Sequence, residues 1–128
     1  MSDKQDDFDV GMQIRHEMFG PAGAEEKLAK ATDFTRPFEE LVTRYCFGEI
    51  WSGRELDRKT RSFLTLAILT ALGKPNELKV HVLGAIRNGA TREEIRAVLM
   101  HTVAYAGIPA GVGAFGAAAE AFAKADGK

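Results

Sequence analysis

The hydrophobic pattern of the chain is helical throughout. Apolar residues recur at spacings of three and four, the period of an amphipathic α-helix, and no segment of useful length alternates as a strand does. We therefore predict an all-α fold of six to seven helices with short loops. It would form one domain over residues 1–128, with residues 1–7 disordered. The predicted helices span residues 8–19, 24–31, 37–51, 58–72, 76–88, 92–106 and 110–123.

Capping residues mark the boundaries of the third, fourth and sixth predicted helices. Thr35 is expected to cap the third helix, with Glu39 close to the capping-box position. Asp57 is expected to cap the fourth helix, which ends at Gly73. Thr91 begins the sixth helix, with Glu94 at its capping-box position. The core-facing stripe of the sixth helix is predicted to be Ile95, Val98, Leu99, Thr102, Val103, Tyr105 and Ala106.

The fourth predicted helix is apolar on almost all sides. Residues 62–72, SFLTLAILTAL, contain no polar residue stronger than serine or threonine. Such a helix is expected to be surrounded by protein. Because the apolar content is high for so small a chain, we expect some of this surface to pack on other subunits. The alternative is a compact monomer.

Composition and charge exclude several classes of protein and site. The net charge is −1 and the basic residues are spread out, so no nucleic-acid surface is predicted. The longest apolar run is about half as long as a membrane span, and the acidic N-terminus is unlike a signal peptide. The single Cys46 excludes an internal disulfide and a multi-cysteine zinc site. With three distant histidines we predict no metal site, and the lack of a glycine-rich strand-to-helix loop excludes a nucleotide fingerprint. The single cysteine and the N-terminus indicate a cytoplasmic location.

Glu77 and His81 are the first candidates for chemistry. They are four residues apart on the fifth predicted helix, so they lie on one face, and His81 adjoins its apolar stripe. A carboxylate beside an imidazole can orient it and raise its pKa, as a general acid or base requires. The alternative, which these residues alone favour, is a partly buried histidine satisfied by a helical neighbour.

Further candidates lie on the third and fourth predicted helices. Arg58 and Arg61, three apart in one turn, could clamp an anionic substrate, although surface salt bridges are the more common role. Tyr45 and Glu49 share one face of a core-like helix, close to Trp51. The carboxyl group of Glu49 would have a raised pKa if it were buried among such apolar neighbours.

Three further residues are assigned no chemistry. Cys46 lies on an apolar face, where a cysteine usually packs rather than reacts. His16 and His101 have no obvious partner in the sequence. Both histidines are expected to be structural or exposed.

Four segments occur in an order that resembles a known family: TRYCFGEIW (43–51), LDRKTRSFLTLAILTALG (56–73), ELKVHVLGAIRNGATREEI (77–95) and YAGIPAG (105–111). The chain is similar to the carboxymuconolactone decarboxylase family, within the alkylhydroperoxidase D-like superfamily, over about residues 10–123. The resemblance implies an alkylhydroperoxidase D-like helical fold. It also implies a closed homo-oligomer, often a hexamer built as a trimer of dimers.

The same superfamily has a peroxidase branch that carries a glutamate, a Cys-x-x-Cys motif and a histidine. Aligning that histidine with His81 places the glutamate position at Ser62 and the cysteine positions at Lys74 and Glu77. Thiol–disulfide chemistry needs both an attacking and a resolving thiol, which Cys46 alone cannot supply. A peroxidase-like redox protein is therefore disfavoured.

The resemblance implies a cofactor-independent carboxy-lyase. The substrate would be 4-carboxymuconolactone, a small lactone with two carboxylates, converted to β-ketoadipate enol-lactone in the breakdown of aromatic compounds through protocatechuate. His81 stands where the superfamily keeps its catalytic histidine. The roles that follow are hypotheses: Arg58 and Arg61 bind carboxylate or oxyanion, His81 donates the proton or stabilises the oxyanion, Glu49 and Glu77 tune His81, and Tyr45 and Trp51 wall the pocket.

One departure puts the substrate in doubt. Decarboxylases of this family often carry Asn-His after the YAGIPAG turn, where this chain has Val112 and Gly113. If that segment contacts substrate, the chain acts on another small carboxylated lactone. A non-catalytic assembly or ligand-binding protein is the remaining alternative, and it would gain support if the candidate residues did not share one pocket.

Overall fold

A computed structural model describes residues 4–128. Over these residues the chain forms seven α-helices, a 3-10 helix and a π-helix, and no strand, which confirms the all-α prediction. The chain divides into two compact units, and the boundary lies between Leu56 and Asp57. The N-terminal unit contains α1 (Lys4–Phe19), the 3-10 helix (Pro21–Gly23), α2 (Glu25–Ala29), α3 (Arg36–Leu41) and the π-helix (Val42–Ile50). The C-terminal unit contains α4 (Arg58–Leu72), α5 (Pro75–Arg87), α6 (Arg92–Ala106) and α7 (Ile108–Ala125).

Local capping sets the boundaries of α4 and α6, as predicted. The side chain of Asp57 accepts a hydrogen bond from the backbone N–H of Thr60 at 2.8 Å, and α4 ends where Gly73 adopts a left-handed φ of 69°. Thr91 and Glu94 exchange two hydrogen bonds of 3.0 Å, so the predicted capping box is confirmed. Each of these signals acts within one turn of helix, so neighbouring residues suffice to reveal it.

The first helix is longer than predicted. Residues 4–7, predicted to be disordered, are helical, because α1 begins at Lys4. The same prediction for residues 1–3 lies outside the described residues. Asp6 and Asp7 lie in the first turn of α1, where the positive end of the helix dipole favours negative charge. These acidic residues therefore stabilise the start of α1.

The prediction of one continuous α-helix over residues 37–51 is wrong beyond Leu41. The following nine residues form a π-helix, and the N–H of Trp51 still bonds five residues back, to the carbonyl of Cys46 at 2.9 Å. The wider turn brings Thr43, Phe47 and Gly48 inward. A 3.6-residue period predicts that Phe38, Leu41, Val42, Tyr45, Cys46, Glu49 and Ile50 share one face. Of these, only Val42 and Cys46 pack against the core, and the other five are exposed.

The hydrogen bond predicted for the N-cap of the third helix is absent. Thr35 stands at the N-cap of α3 but makes no capping hydrogen bond to the helix. Its hydroxyl accepts from the backbone N–H of Thr32 at 2.9 Å instead. Glu39 is not part of a capping box, because its carboxylate lies 3.2 Å from the guanidinium of Arg15.

Backbone-to-backbone contact at two glycines joins α1 to the π-helix. A Cβ at Gly48 would collide with the carbonyl of Asp7, and a Cβ at Gly11 would collide with the carbonyl of Thr43. Neither glycine has a positive φ. Both are therefore required by close approach rather than by a turn.

A buried arginine ties the elements of the N-terminal unit together. Arg15 is 4% exposed and donates to the carbonyl of Gly23 at 3.0 Å, to Thr43 at 2.9 Å and to Glu39 at 3.2 Å. Its guanidinium also lies over the ring of Phe47. Burying this charge is tolerated because the carboxylate and the acceptor oxygens replace water. The sequence pattern assigned Arg15 no role.

Buried side chains from all four helices form the core of the C-terminal unit. Leu66 of α4, Leu78 and Val82 of α5, and Leu99 of α6 are at most 1% exposed. Alanines supply the α7 side of this cluster, so α7 lies close to its neighbours. No helix within residues 4–128 is long and apolar enough to cross a membrane.

Within the chain, α4 is not surrounded by protein on all sides, contrary to the prediction. Leu64, Ile68 and Leu72 repeat every four residues along one face and are 49%, 56% and 64% exposed. The helix is long enough to bury one face against α5 and α6, and its uniform apolar sequence cannot indicate which face that is.

The predicted stripe of α6 is correct at its start and wrong at its end. Ile95, Leu99 and Thr102 are buried, but Tyr105 is 85% exposed. At the helical repeat, Tyr105 lies roughly 90° away from the line of the buried residues. Ala106, in the last turn, is exposed as well.

We expect Gly48→Ala to destabilise the N-terminal unit by about 1–3 kcal/mol or more, because the added methyl group meets backbone that cannot rotate away. Chemical unfolding followed by circular dichroism measures this change. Gly116→Ala is the matched control: it lies in α7 with open space around the new methyl group, and should stabilise by up to about 1 kcal/mol. Equal effects of the two substitutions would contradict the close approach at Gly48.

Candidate functional site

The candidate residues are divided between the two units. Arg58 and Arg61 lie in the first turn of α4, and Glu77 and His81 lie on α5, so these four belong to the C-terminal unit. Tyr45, Glu49 and Trp51 belong to the N-terminal unit.

His81 is a partly buried imidazole with an altered titration. Burial lowers the pKa of His81 to about 4, and the negative charge of Glu77 opposes that shift. The predicted pairing of Glu77 with His81 is thus present as an electrostatic interaction across one turn of α5. In the ligand-free chain the imidazole is neutral at pH 7, so it can donate one N–H hydrogen bond and accept another.

A hydrogen bond from Asn88 identifies the flank of α5 on which His81 lies. Asn88 follows His81 by seven residues, two turns of helix, so both are on the same flank. The amide Nδ2 of Asn88 donates to the hydroxyl of Ser62 on α4 at 3.0 Å. His81 is therefore on the flank of α5 that faces α4.

Arg58 and Arg61 are partly buried at the end of α4 that adjoins this hydrogen bond. Ser62 follows Arg61 directly and is one helical turn after Arg58. Measured along α5, the turn at Asn88 lies about 10 Å from His81. A small dicarboxylate held by arginine side chains could bridge that distance and reach the imidazole.

The candidates of the N-terminal unit are differently placed. Trp51 is 6% exposed and stacks on Phe47, with ring centroids 6.0 Å apart, so it is part of that unit's core. Tyr45 is 56% exposed and Glu49 is exposed. The burial on which a catalytic role for Glu49 was argued is not found within the chain.

Cys46 is partly buried beside that core, and burial raises the pKa of its thiol. The thiol is therefore protonated at pH 7 and is a weak nucleophile. This agrees with the expectation that Cys46 packs rather than reacts.

A concave region lies between α4 and α6. It has a volume of about 420 Å³ and an apolar floor that includes Phe63, Ala67 and Val98, with Glu94 and His101 among its polar groups. None of the four candidate residues of the C-terminal unit lines it. Arg58 and Arg61 lie on the opposite flank of α4 from Phe63 and Ala67, as their spacing requires.

The two remaining histidines both have neighbours that the sequence did not reveal. His16 lies 2.5 Å from the carboxylate of Glu25, and the ring of His101 is 5.3 Å from that of Tyr105. The expectation that they lack partners is therefore wrong. The sequence did not reveal the partner of His16 because Glu25 belongs to a different helix. Both histidines are exposed, as expected. Residues 4–128 contain no group of three or more histidine, cysteine, aspartate and glutamate side chains arranged to hold a metal ion.

Ser62 and Asn88 were missed as site residues by reasoning from the sequence. Ser62 was noted only as the position aligned with the glutamate of the peroxidase branch, and Asn88 only as the last residue of the fifth predicted helix. The one available signal was the seven-residue spacing from His81, which places Asn88 on the same flank of α5.

Comparison with known proteins gives three findings. The model of the carboxymuconolactone decarboxylase family matches residues 36–120. A 4-carboxymuconolactone decarboxylase from Acinetobacter baylyi is 36% identical over 122 residues, which cover 95% of this chain and 90% of that protein. A nitrosuccinic acid decarboxylase from Metarhizium robertsii is 42% identical over 102 residues, which cover 80% of this chain and 71% of that protein.

We expect His81 to make stability depend on pH between about 6.5 and 4. In this window the unfolded chain binds a proton that the folded chain does not, so the free energy of unfolding falls as the pH falls, by up to about 1.4 kcal/mol per unit. Urea unfolding of the wild type and His81→Gln at several pH values isolates this contribution. His101→Gln should keep the wild-type dependence, and an NMR titration midpoint of His81 near 6.5 would contradict the burial effect.

Proposed function

The chain belongs to the carboxymuconolactone decarboxylase family, and we propose that it converts 4-carboxymuconolactone to β-ketoadipate enol-lactone in protocatechuate breakdown, without a cofactor. The two relatives described above are both named as decarboxylases, which supports a carboxy-lyase. The observation that carries the proposal is the placement of His81 on the flank of α5 that faces the helix bearing Arg58 and Arg61.

The chemistry needs no bound cofactor because the substrate contains its own electron acceptor. The departing carboxylate is vinylogous to the lactone carbonyl, so loss of CO2 leaves an electron pair that becomes a furan-like oxyanion. Carbon is then protonated to give the enol-lactone. The protein must hold a dianion, stabilise the oxyanion and deliver one proton.

The proposed roles follow from charge and burial. Arg58 and Arg61 bind a substrate carboxylate or the oxyanion, because guanidinium groups offer paired donors to such oxygens. His81 is neutral before substrate arrives, since its pKa is about 4. A bound dianion raises that pKa, so the imidazole gains a proton when the substrate is present and can return it to carbon. Glu77 favours the same protonated form.

Tyr45, Glu49 and Trp51 have weaker support as site residues. Trp51 packs into the core of the N-terminal unit, and Tyr45 and Glu49 are exposed in the single chain. We propose that they line the site or adjust the pKa of His81 only in an oligomer, where another copy of the chain covers the outward face of the π-helix.

Nitrosuccinic acid is a second candidate substrate. The observation that favours it is the 42% identity with the fungal nitrosuccinic acid decarboxylase. The two acids share two carboxylates and an oxygen-bearing group that accepts the electron pair left by CO2. Val112 is 70% exposed and Gly113 has open space around it, so this segment, where family members often carry Asn-His, is available to alter substrate choice.

We also propose that the chain forms a homo-oligomer, with the hexamer that the family resemblance implies. The exposed stripe of Leu64, Ile68 and Leu72 supports an interface, because contiguous apolar surface is usually covered by another chain. The proposal places the enzyme in the cytoplasm, where the single cysteine stays reduced.

We expect His81→Ala and Arg58→Ala each to lower kcat/KM for 4-carboxymuconolactone by about a hundredfold or more, since each removes a group that acts on the developing charge. Loss of the lactone's absorbance under steady-state conditions measures this, with nitrosuccinic acid assayed in parallel. His101→Ala and Arg96→Ala, exposed residues on α6, are the matched controls. Wild-type rates in both site variants, with folding intact, would refute the assigned roles.

Light scattering after size exclusion should give a mass that is a multiple of 13.9 kDa. Ile68→Glu should reduce that mass, because it places a charge in the proposed interface. Lys124→Glu, near the end of α7, should leave the mass unchanged. A wild-type mass equal to one chain would overturn the proposed assembly.

A further inference from the structure

The hydrogen bond between Ser62 and Asn88 joins α4 to α5 beside the arginine-bearing turn. Ser62 is 1% exposed, so its hydroxyl depends on protein partners, and the amide of Asn88 reaches it at 3.0 Å. Resting on the function proposed above, we propose that Ser62 and Asn88 are positioning residues, which set the distance between the arginines of α4 and the imidazole of His81.

Apolar packing alone leaves that distance loosely defined. Elsewhere the two helices meet through Leu66, Leu78 and Val82, whose contacts gain free energy from burial and carry no direction. A hydrogen bond has a preferred length and angle, so it specifies one register of α4 along α5. Because Ser62 follows Arg61 directly, fixing Ser62 fixes the backbone of the turn that carries the anion-binding side chains.

A second anchor of this turn is weaker. Lys59 lies 2.8 Å from Glu94 of α6, but its side chain is 39% exposed and that of Glu94 is 37% exposed. Ion pairs in such positions are screened by water and contribute little. The buried bond to Asn88 is therefore the stronger constraint, and it acts toward the helix that carries His81.

Correct spacing matters to the proposed reaction because the arginines and His81 have different roles in it. The arginines hold the anion, and His81 delivers a proton to the ring carbon next to the lactone carbonyl. A displacement of about 1 Å between binding and reacting groups can reduce a rate a hundredfold without abolishing binding. Loss of the Ser62–Asn88 bond should therefore reduce kcat more than it raises KM.

The test compares Ser62→Ala, Asn88→Ala and the double variant. Each single variant should lower kcat by about tenfold or more with KM changed by less than about threefold, and the double variant should fall no further than the single variants. Asn88 has φ −84° and ψ 6°, a negative-φ conformation that does not require asparagine or glycine, so the helix end should survive the change. Wild-type kcat in both single variants would overturn the proposal, as would losses that multiply in the double variant.

Thr70→Val is the matched control. Thr70 is another buried hydroxyl on the same helix, but it donates within α4, to the carbonyl of Leu66 at 2.7 Å. Its replacement should lower stability and leave kcat unchanged. An equal fall in kcat for Thr70→Val would mean that general loosening of α4, rather than the bond to α5, explains the effect.

A binding measurement separates this proposal from the choice of substrate. Muconate, a simple unsaturated dicarboxylate, is titrated while NMR follows the protonation of His81. Muconate should raise the titration midpoint of His81 in the wild type, and raise it less in Asn88→Ala. Equal shifts in the two proteins, or no shift in the wild type, would overturn the proposal. Failure of lactone turnover combined with the expected shifts would instead reject only the substrate.

Discussion

Burial of the His81 imidazole on the flank of α5 that faces α4 is the constraint on which the chemistry of the C-terminal unit depends. Burial removes water from the imidazole and favours its neutral form, and Glu77 only partly offsets this effect. The histidine can therefore respond to an arriving negative charge, which is the property that a site for anionic substrates needs.

The arrangement suits a reaction in which the substrate supplies the electron sink. An enzyme of this kind needs to place charge and protons, and no bound group has to accept electrons. In the proposed site, two arginines in one helical turn and an imidazole about two turns away along the neighbouring helix would provide these functions with three side chains. The buried bond between Ser62 and Asn88 supplies what the charged groups cannot, which is a fixed spacing.

The N-terminal unit solves a different packing problem. Its π-helix approaches α1 so closely that only glycine fits at two positions, and a buried arginine connects three of its elements. The wide turn of the π-helix directs Tyr45 and Glu49 away from this core. These groups therefore face outward from the N-terminal unit.

The sequence by itself determined the helical class, most helix boundaries and the pairing of Glu77 with His81. Each of these depends on residues within about one turn of one another: a cap, a terminating glycine or a four-residue spacing. The tertiary structure decided the π-helix, the role of Arg15, the exposed face of α4 and the bond between Ser62 and Asn88. Those features depend on residues distant in sequence, such as the glycine contacts of α1 and the 26 positions that separate Ser62 from Asn88. A hydrophobic period records that a helix has a buried face, but only the neighbouring helices determine which residues lie on it.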